Sequence, residues 1–386
     1  MEDGFHMKSL FDLVVPQERA NRRFLDLQGA RAFTAARRLM DEVFAEFHDV
    51  DHSFVKELQT WGFSARVFEL ALFAALREQG HALDRANPAP DFVVRGARPV
   101  AIEATTTNPP EYQDPDDVDP AVGALRLIPD DLQSAEQEFV FQAGKALRRK
   151  LLKRDKAGLA YWEHPHIAGL PFVIALESFH SASSLFHAIG PLGTYLYGRR
   201  DVPDFDSDGT LNLTAEPVTA HEHMGKTIPS GLFGLPEAAH LAAVIFSNSA
   251  TVSEFNRIGT ELGYGPDDIA MIRIGSMPDP DPNAIHPQLF GYLVEGDGSE
   301  EGEPFSEGWH VLHNPWAENP LHPDALPAFT HHELLDDGRV LSTWNRMEPF
   351  ASQTRIFQGG SAREYALRML EQYRTAAGGH EPTATP

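Results

Sequence analysis

The chain has 386 residues, 42% of them hydrophobic, and a formal net charge of -24 from 56 acidic and 32 basic residues. This length and apolar content support one large domain or two of ordinary size and exclude a disordered protein. The lack of cysteine excludes disulfides, thiol catalysis and thiolate zinc sites, and it fits a reducing, cytoplasmic compartment. The first fifteen residues carry no basic start followed by an apolar run, so no signal peptide is expected. Nor does any segment approach the roughly 18 uninterrupted apolar residues of a membrane span. The acidic balance also argues against a broad surface that grips phosphate backbones. Any such contact must be local, metal-assisted, or shared with a protein partner that supplies basic surface.

Residues 1–60 read as an N-terminal helical segment. Phe33, Ala36, Leu39, Met40, Val43, Phe44 and Phe47 recur at three- and four-residue spacing, which predicts an amphipathic helix. Ser64 is placed to cap the next helix, which runs to Gln79 and stops at Gly80. Short extended pieces follow at 81–85, 90–95 and 99–105. The polar, proline-rich stretch 108–131 reads as a surface loop. A helix over 134–153 and a strand over 170–178 complete a core spanning 61–198. Residues 199–386 read as a C-terminal αβ extension or second lobe. Strands are expected there at 242–247, 269–274 and 309–313, loops at 202–209, 277–287 and 295–303, and a closing helix at 362–373.

Three carboxylates stand out. Gly96 sits in a short turn, so a hairpin centred near Ala97 brings Asp91 opposite Glu103 on one sheet face. Phe92, Val94, Val100, Ile102 and Ala104 then share the other, buried face. Two like charges so placed become favourable when a divalent cation lies between them. In the preceding helix, Glu69 is the only polar residue within VFELALFAAL. A carboxylate there is costly unless it pairs, with Arg66 for example, or faces a charged site.

The order helix with Glu, strand, Pro-Asp, strand, Glu-x-x, helix, strand resembles the PD-(D/E)XK nuclease superfamily. Glu69, Pro90-Asp91 and Ile102-Glu103-Ala104-Thr105 carry the likeness, which covers roughly 120 residues. It implies an α/β fold: a restriction-endonuclease-like core with a mixed central sheet flanked by helices. It further implies Mg²⁺-dependent (or Mn²⁺-dependent) hydrolysis of phosphodiester bonds in nucleic acid, with DNA the expected substrate. Asp91 and Glu103 would then hold the metal with the carbonyl of Ala104, and Glu69 would orient a water or a second ion. The departure is Thr105, which stands where the family has lysine. The following helix offers Lys145 and Lys150. A helical wheel puts Lys150 on the stripe of Phe139, Ala143, Ala146 and Leu147, facing the sheet, and Lys145 toward solvent. Lys150 is therefore expected to supply the missing charge. Arg148, Arg149, Lys150, Lys153, Arg154 and Lys156 form the most basic stretch of the chain.

Two other readings compete. One is a nuclease fold that has lost catalysis and serves as a binding or scaffold module, which predicts no cation near the two carboxylates. The other is a zinc hydrolase built on histidines of the second half. His221-Glu222-His223 and His331-His332-Glu333 lack the spacing of paired ligands one helical turn apart, and adjacent His331 and His332 point to different sides of a strand.

Overall fold

The structure, a computed structural model, describes residues 9–108, 129–296 and 302–376. Four helices come first: α1 (Arg22–Gly29), α2 (Thr34–Glu46), α3 (Phe54–Leu58) and α4 (Phe63–Glu78). α4 begins one residue before the expected cap. Gly62 holds the N-cap position, while Ser64 lies within the first turn. Burial of Phe63 fixes that start, so packing outweighs the capping signal. Gly80, at φ +78°, ends the helix as expected.

Next come β1 (Ala82–Asp84), β2 (Phe92–Arg95) and β3 (Val100–Thr107), an antiparallel meander. Its second turn contains Gly96 at φ +131°, a conformation that side-chain-bearing residues rarely adopt. The stretch 108–131, read as a loop, lies largely outside the described residues. Asp131 caps the following helix, α5 (Leu132–Leu152), by accepting from the amide of Ser134. The chain then enters β4 (Phe172–Ser178), parallel to β3.

After α6 (Ile189–Tyr197) come two small hairpins. The first pairs β5 (Arg199–Phe205) with β6 (Leu211–Pro217), and the second pairs β7 (Ala220–His223) with β8 (Lys226–Pro229). The expected loop at 202–209 is thus half strand. β5 is exposed along nearly its whole length, so it has no apolar alternation to betray it. The remaining elements are β9 (Leu241–Ser247), α7 (Val252–Glu261), β10 (Ile269–Met277) and β11 (Gln288–Val294). They are followed by β12 (Trp309–His313), β13 (Thr330–Leu334), β14 (Val340–Thr343), β15 (Ala351–Gln358) and α8 (Ala362–Ala376).

The fold is mixed α/β. Eight strands form one sheet in the order β1-β2-β3-β4-β9-β12-β13-β14, with helices on both faces. Strands of the second half therefore continue the sheet begun by β1–β4. On one face Phe92, Val94, Val100 and Ile102 pack with Val67, Phe68 and Ala71 of α4. On the other, Val93 and Ala101 pack with Phe139, Ala143, Leu147 and Leu151 of α5. A smaller sheet, β11-β10-β15, is covered by α8 through Ala362, Ala366 and Leu370. Between α7 and this sheet lies a buried ion network. Arg257 donates to Glu303 at 2.6 and 2.5 Å and to Thr354 at 2.8 Å, and Nη1 of Arg273 lies 2.6 Å from Glu307.

Candidate active site

The hairpin register settles which side chains share a face. Phe92 pairs with Ile102 and Val93 with Ala101, so the next pair outward is Asp91 with Glu103. Both carboxylates stand on the face that also carries Val93 and Ala101, toward α5. Asp91 is half-buried, and one of its oxygens accepts from the amide of Ala104 at 2.7 Å. Glu103 is buried at 4% exposure. Burial, reinforced by the charge of Glu103, pushes the Asp91 carboxyl up to about 7, while Lys150 and the Ala104 amide pull the other way.

Lys150 reaches this face from α5. Its Nζ donates to Oε1 of Glu103 at 2.5 Å. The residue lies one turn beyond Ala146 and Leu147, both buried against the sheet, so the apolar stripe aims the ammonium at the carboxylates. Lys145 is exposed, as its opposite helical position requires.

Glu69 approaches from α4. Arg66 and Arg85 both donate to it, Arg85 at 2.8 Å. Arg66 also holds Glu57 at 2.5 Å. Arg85 in turn donates from Nε to the main-chain oxygen of Asp91 at 3.2 Å, and its guanidinium lies 3.5 Å over the ring of Phe47. Burial, with the charge of Asp91 adding, pushes Glu69 up to about 7, against the two arginines. Glu69 thus sits within electrostatic reach of Asp91 and connects to it through Arg85. The salt bridge that its apolar surroundings demanded is present.

Several contributing residues escaped the sequence reading. Tyr161 donates to the same Glu103 oxygen at 2.6 Å, and Lys153 donates to the Tyr161 hydroxyl at 2.8 Å. Burial and the adjacent Glu103 push the Tyr161 hydroxyl far up, so it stays protonated and donating. Arg149 donates to Thr105 Oγ1 at 3.2 Å. Thr105 is thus contacted by one basic residue of α5 and Glu103 by the next. Tyr161 lies in a short turn after α5, and no spacing rule links such a position to Glu103. Elsewhere on the basic stretch, Arg148 is spent on Glu237 at 2.5 Å.

Two carboxylates are oxygen donors of the kind that a hard divalent cation can use. Mg²⁺ keeps several waters and takes one or two carboxylates rather than a closed protein cage. Among the described residues no three His, Asp or Glu side chains gather into such a cage. Asp91 and Glu103 are the two carboxylates that could hold a cation here, and their oxygens also accept from the Ala104 amide, Lys150 and Tyr161.

The second-half histidines are arranged differently. His310 and His332 lie 3.2 Å apart on one face of the sheet, and His313 and His331 lie 2.8 Å apart on the other. His332 is further bonded to Ser342 at 2.8 Å and His331 to the carbonyl of Leu326 at 3.0 Å. His221 bonds Ser230 at 3.0 Å. No helix of the described residues is long and apolar enough to cross a membrane. The chain matches no family model, no curated protein and no solved structure.

Proposed function

We propose that the Asp91–Glu103–Lys150 constellation makes this chain a metal-dependent nuclease with a PD-(D/E)XK-like, restriction-endonuclease-like core, hydrolysing phosphodiester bonds of nucleic acid, DNA in preference to RNA. The observation that carries the reading is the meeting of Lys150 with Glu103 across from Asp91. The element order supports it too: α4, the β1–β3 meander, α5 and then β4 parallel to β3. A scaffold module that had lost catalysis is the weaker reading, because it requires no cation beside the carboxylates, and Lys150 is there.

Asp91 and Glu103, with the Ala104 carbonyl, are the residues to hold Mg²⁺ or Mn²⁺. When bound, the ion polarises the scissile phosphate and acidifies a nearby water. Lys150 carries the positive charge that offsets the negative charge developing on the phosphate. It does from α5 what the family's lysine does from the position of Thr105. Tyr161 fixes the Glu103 carboxylate by donating to it, and Lys153 holds the tyrosine. Glu69 acts as a positioning residue. It anchors Arg85, which grips the Asp91 main chain, so the loop entering β2 stays aligned with β3.

Incubating the purified chain with single- and double-stranded DNA and RNA, in Mg²⁺, Mn²⁺ or EDTA, tests the proposal. Metal-dependent cleavage that disappears in a folded Glu103→Gln variant is the expected result. Cleavage that persists in that variant would place the chemistry elsewhere.

A further inference from the structure

α5 has a second working face. Phe141, Lys145 and Arg148 lie at i, i+4 and i+7, on one stripe that faces the β7–β8 hairpin. Between helix and hairpin runs an open cleft of about 730 Å³ whose lining includes these three residues with His223, Met224 and Lys226. The rings of Phe141 and His223 stand 5.6 Å apart and form one wall across the gap. Met224, 82% exposed at the hairpin tip, adds an apolar lip. Gly144 allows the close packing at the floor, because a Cβ there would meet the Tyr195 hydroxyl at 2.8 Å. Lys145 and Lys226 are exposed, and neither has an ion-pair partner among the described residues.

We infer that this cleft binds a segment of single-stranded nucleic acid, with phosphates on Lys145 and Lys226 and a base against the Phe141–His223 wall. The inference rests on the nuclease reading in one respect: it takes nucleic acid as the polymer that the chain meets. Charge selects the occupant: the cleft presents two cations without an ion-pair partner among the described residues, Lys145 and Lys226, beside Arg148, which Glu237 holds, and one acidic lining residue, Glu138, in a chain whose net charge is -24. Aromatic faces flanked by lysines suit unpaired bases, whose π-faces are free, whereas a duplex keeps its bases stacked.

The test is fluorescence anisotropy of a labelled mixed-sequence DNA oligonucleotide, single-stranded or annealed, in EDTA. The proteins compared are the full-length wild type, a Lys145→Glu/Lys226→Glu variant and a His223→Ala variant, each checked by circular dichroism. The wild type should bind the single strand more tightly than the duplex, with affinity falling as salt rises. The double variant should weaken binding more than tenfold and flatten the salt slope by about 1.4, two phosphates at about 0.7 each. His223→Ala should cost about tenfold with the slope unchanged. Unchanged affinity in the folded double variant, or equal binding of duplex, overturns the inference. Because EDTA silences cleavage, failure of the hydrolytic reading would leave this result standing, and loss of binding here would leave hydrolysis to be judged separately.

Discussion

Nζ of Lys150 lies 2.5 Å from Oε1 of Glu103, although 47 residues separate the two in the chain. The contact exists because β3 and α5 pack face to face through Ala101, Ala143 and Leu147. Its side chains are 16% and 5% exposed, so the pair is formed largely out of water. Replacing Lys150 by methionine should therefore do two things. It should lower the cleavage rate by about a hundredfold or more, the usual loss of one preorganised charge at a reacting phosphate. It should also lower stability by about 3 kcal/mol, since a buried carboxylate loses its cation. Cleavage kinetics and urea unfolding measure the two separately, and Lys150→Arg should recover part of the stability.

Tyr161→Phe removes one hydrogen bond to the buried Glu103 carboxylate and leaves Lys150 in place. Stability should fall by about 2 kcal/mol, the range for a bond to a charged acceptor. Cleavage should fall less than in Lys150→Met. An unfolding midpoint equal to that of wild type would show that the hydroxyl contributes nothing.

The carboxylates predict how metal affinity follows pH. Burial and the charge of Glu103 push Asp91 up to about 7, so below that pH a proton competes with the cation for the site. Calorimetric titration with Mn²⁺ or Mg²⁺ should give tighter binding at pH 8 than at pH 6, with protons released. The folded Asp91→Asn variant should bind neither ion measurably. Its metal-free form should be more thermostable than wild type at pH 8, because a buried repulsion has gone.

Acid should unfold the protein through its histidines. Burial holds His180 at about 3, His187, His310 and His313 at about 4, and His332 at about 2, against 6.5 when exposed. The folded state thus favours the neutral rings, and their contribution is full above pH 6.5. It is lost as pH falls from 6.5 through about 4, and for His180 and His332 on to about 3 and about 2. The alkaline side has the opposite sign. Burial pushes Glu348 up to about 8, so its protonated form belongs to the folded state, and that contribution is lost as pH rises from 4.5 through 8. Thermal melts across this range should fall on both sides, and His332→Gln should flatten the acid limb.

What could be read in the sequence, and what could not, follows from the range of the signals. The turn at Gly96 and the alternation of Phe92, Val94, Val100 and Ile102 are local, and they fixed the register that sets Asp91 opposite Glu103. The stripe Phe139–Ala143–Ala146–Leu147 is equally local and aimed Lys150 correctly. Tyr161 and Arg85 were missed because their partners are set by tertiary packing, 58 residues away for Tyr161 and 16 for Arg85. The β5–β6 and β7–β8 hairpins were missed because solvent-exposed strands carry no periodic apolar signal. Glu69 shows the limit of composition: an isolated carboxylate in an apolar helix signals a buried charge, but its two arginines come from tertiary contacts as well as from the adjacent turn.

The most direct measurement is the Mg²⁺-dependent cleavage rate of one DNA substrate by the wild type, Glu103→Gln and Lys150→Met, all confirmed folded. A metal-dependent nuclease that relies on Glu103 and Lys150 should cleave as wild type and lose about a hundredfold or more in each variant. Cleavage that survives both substitutions, or a folded wild type that cuts no nucleic acid in either metal, would contradict that reading.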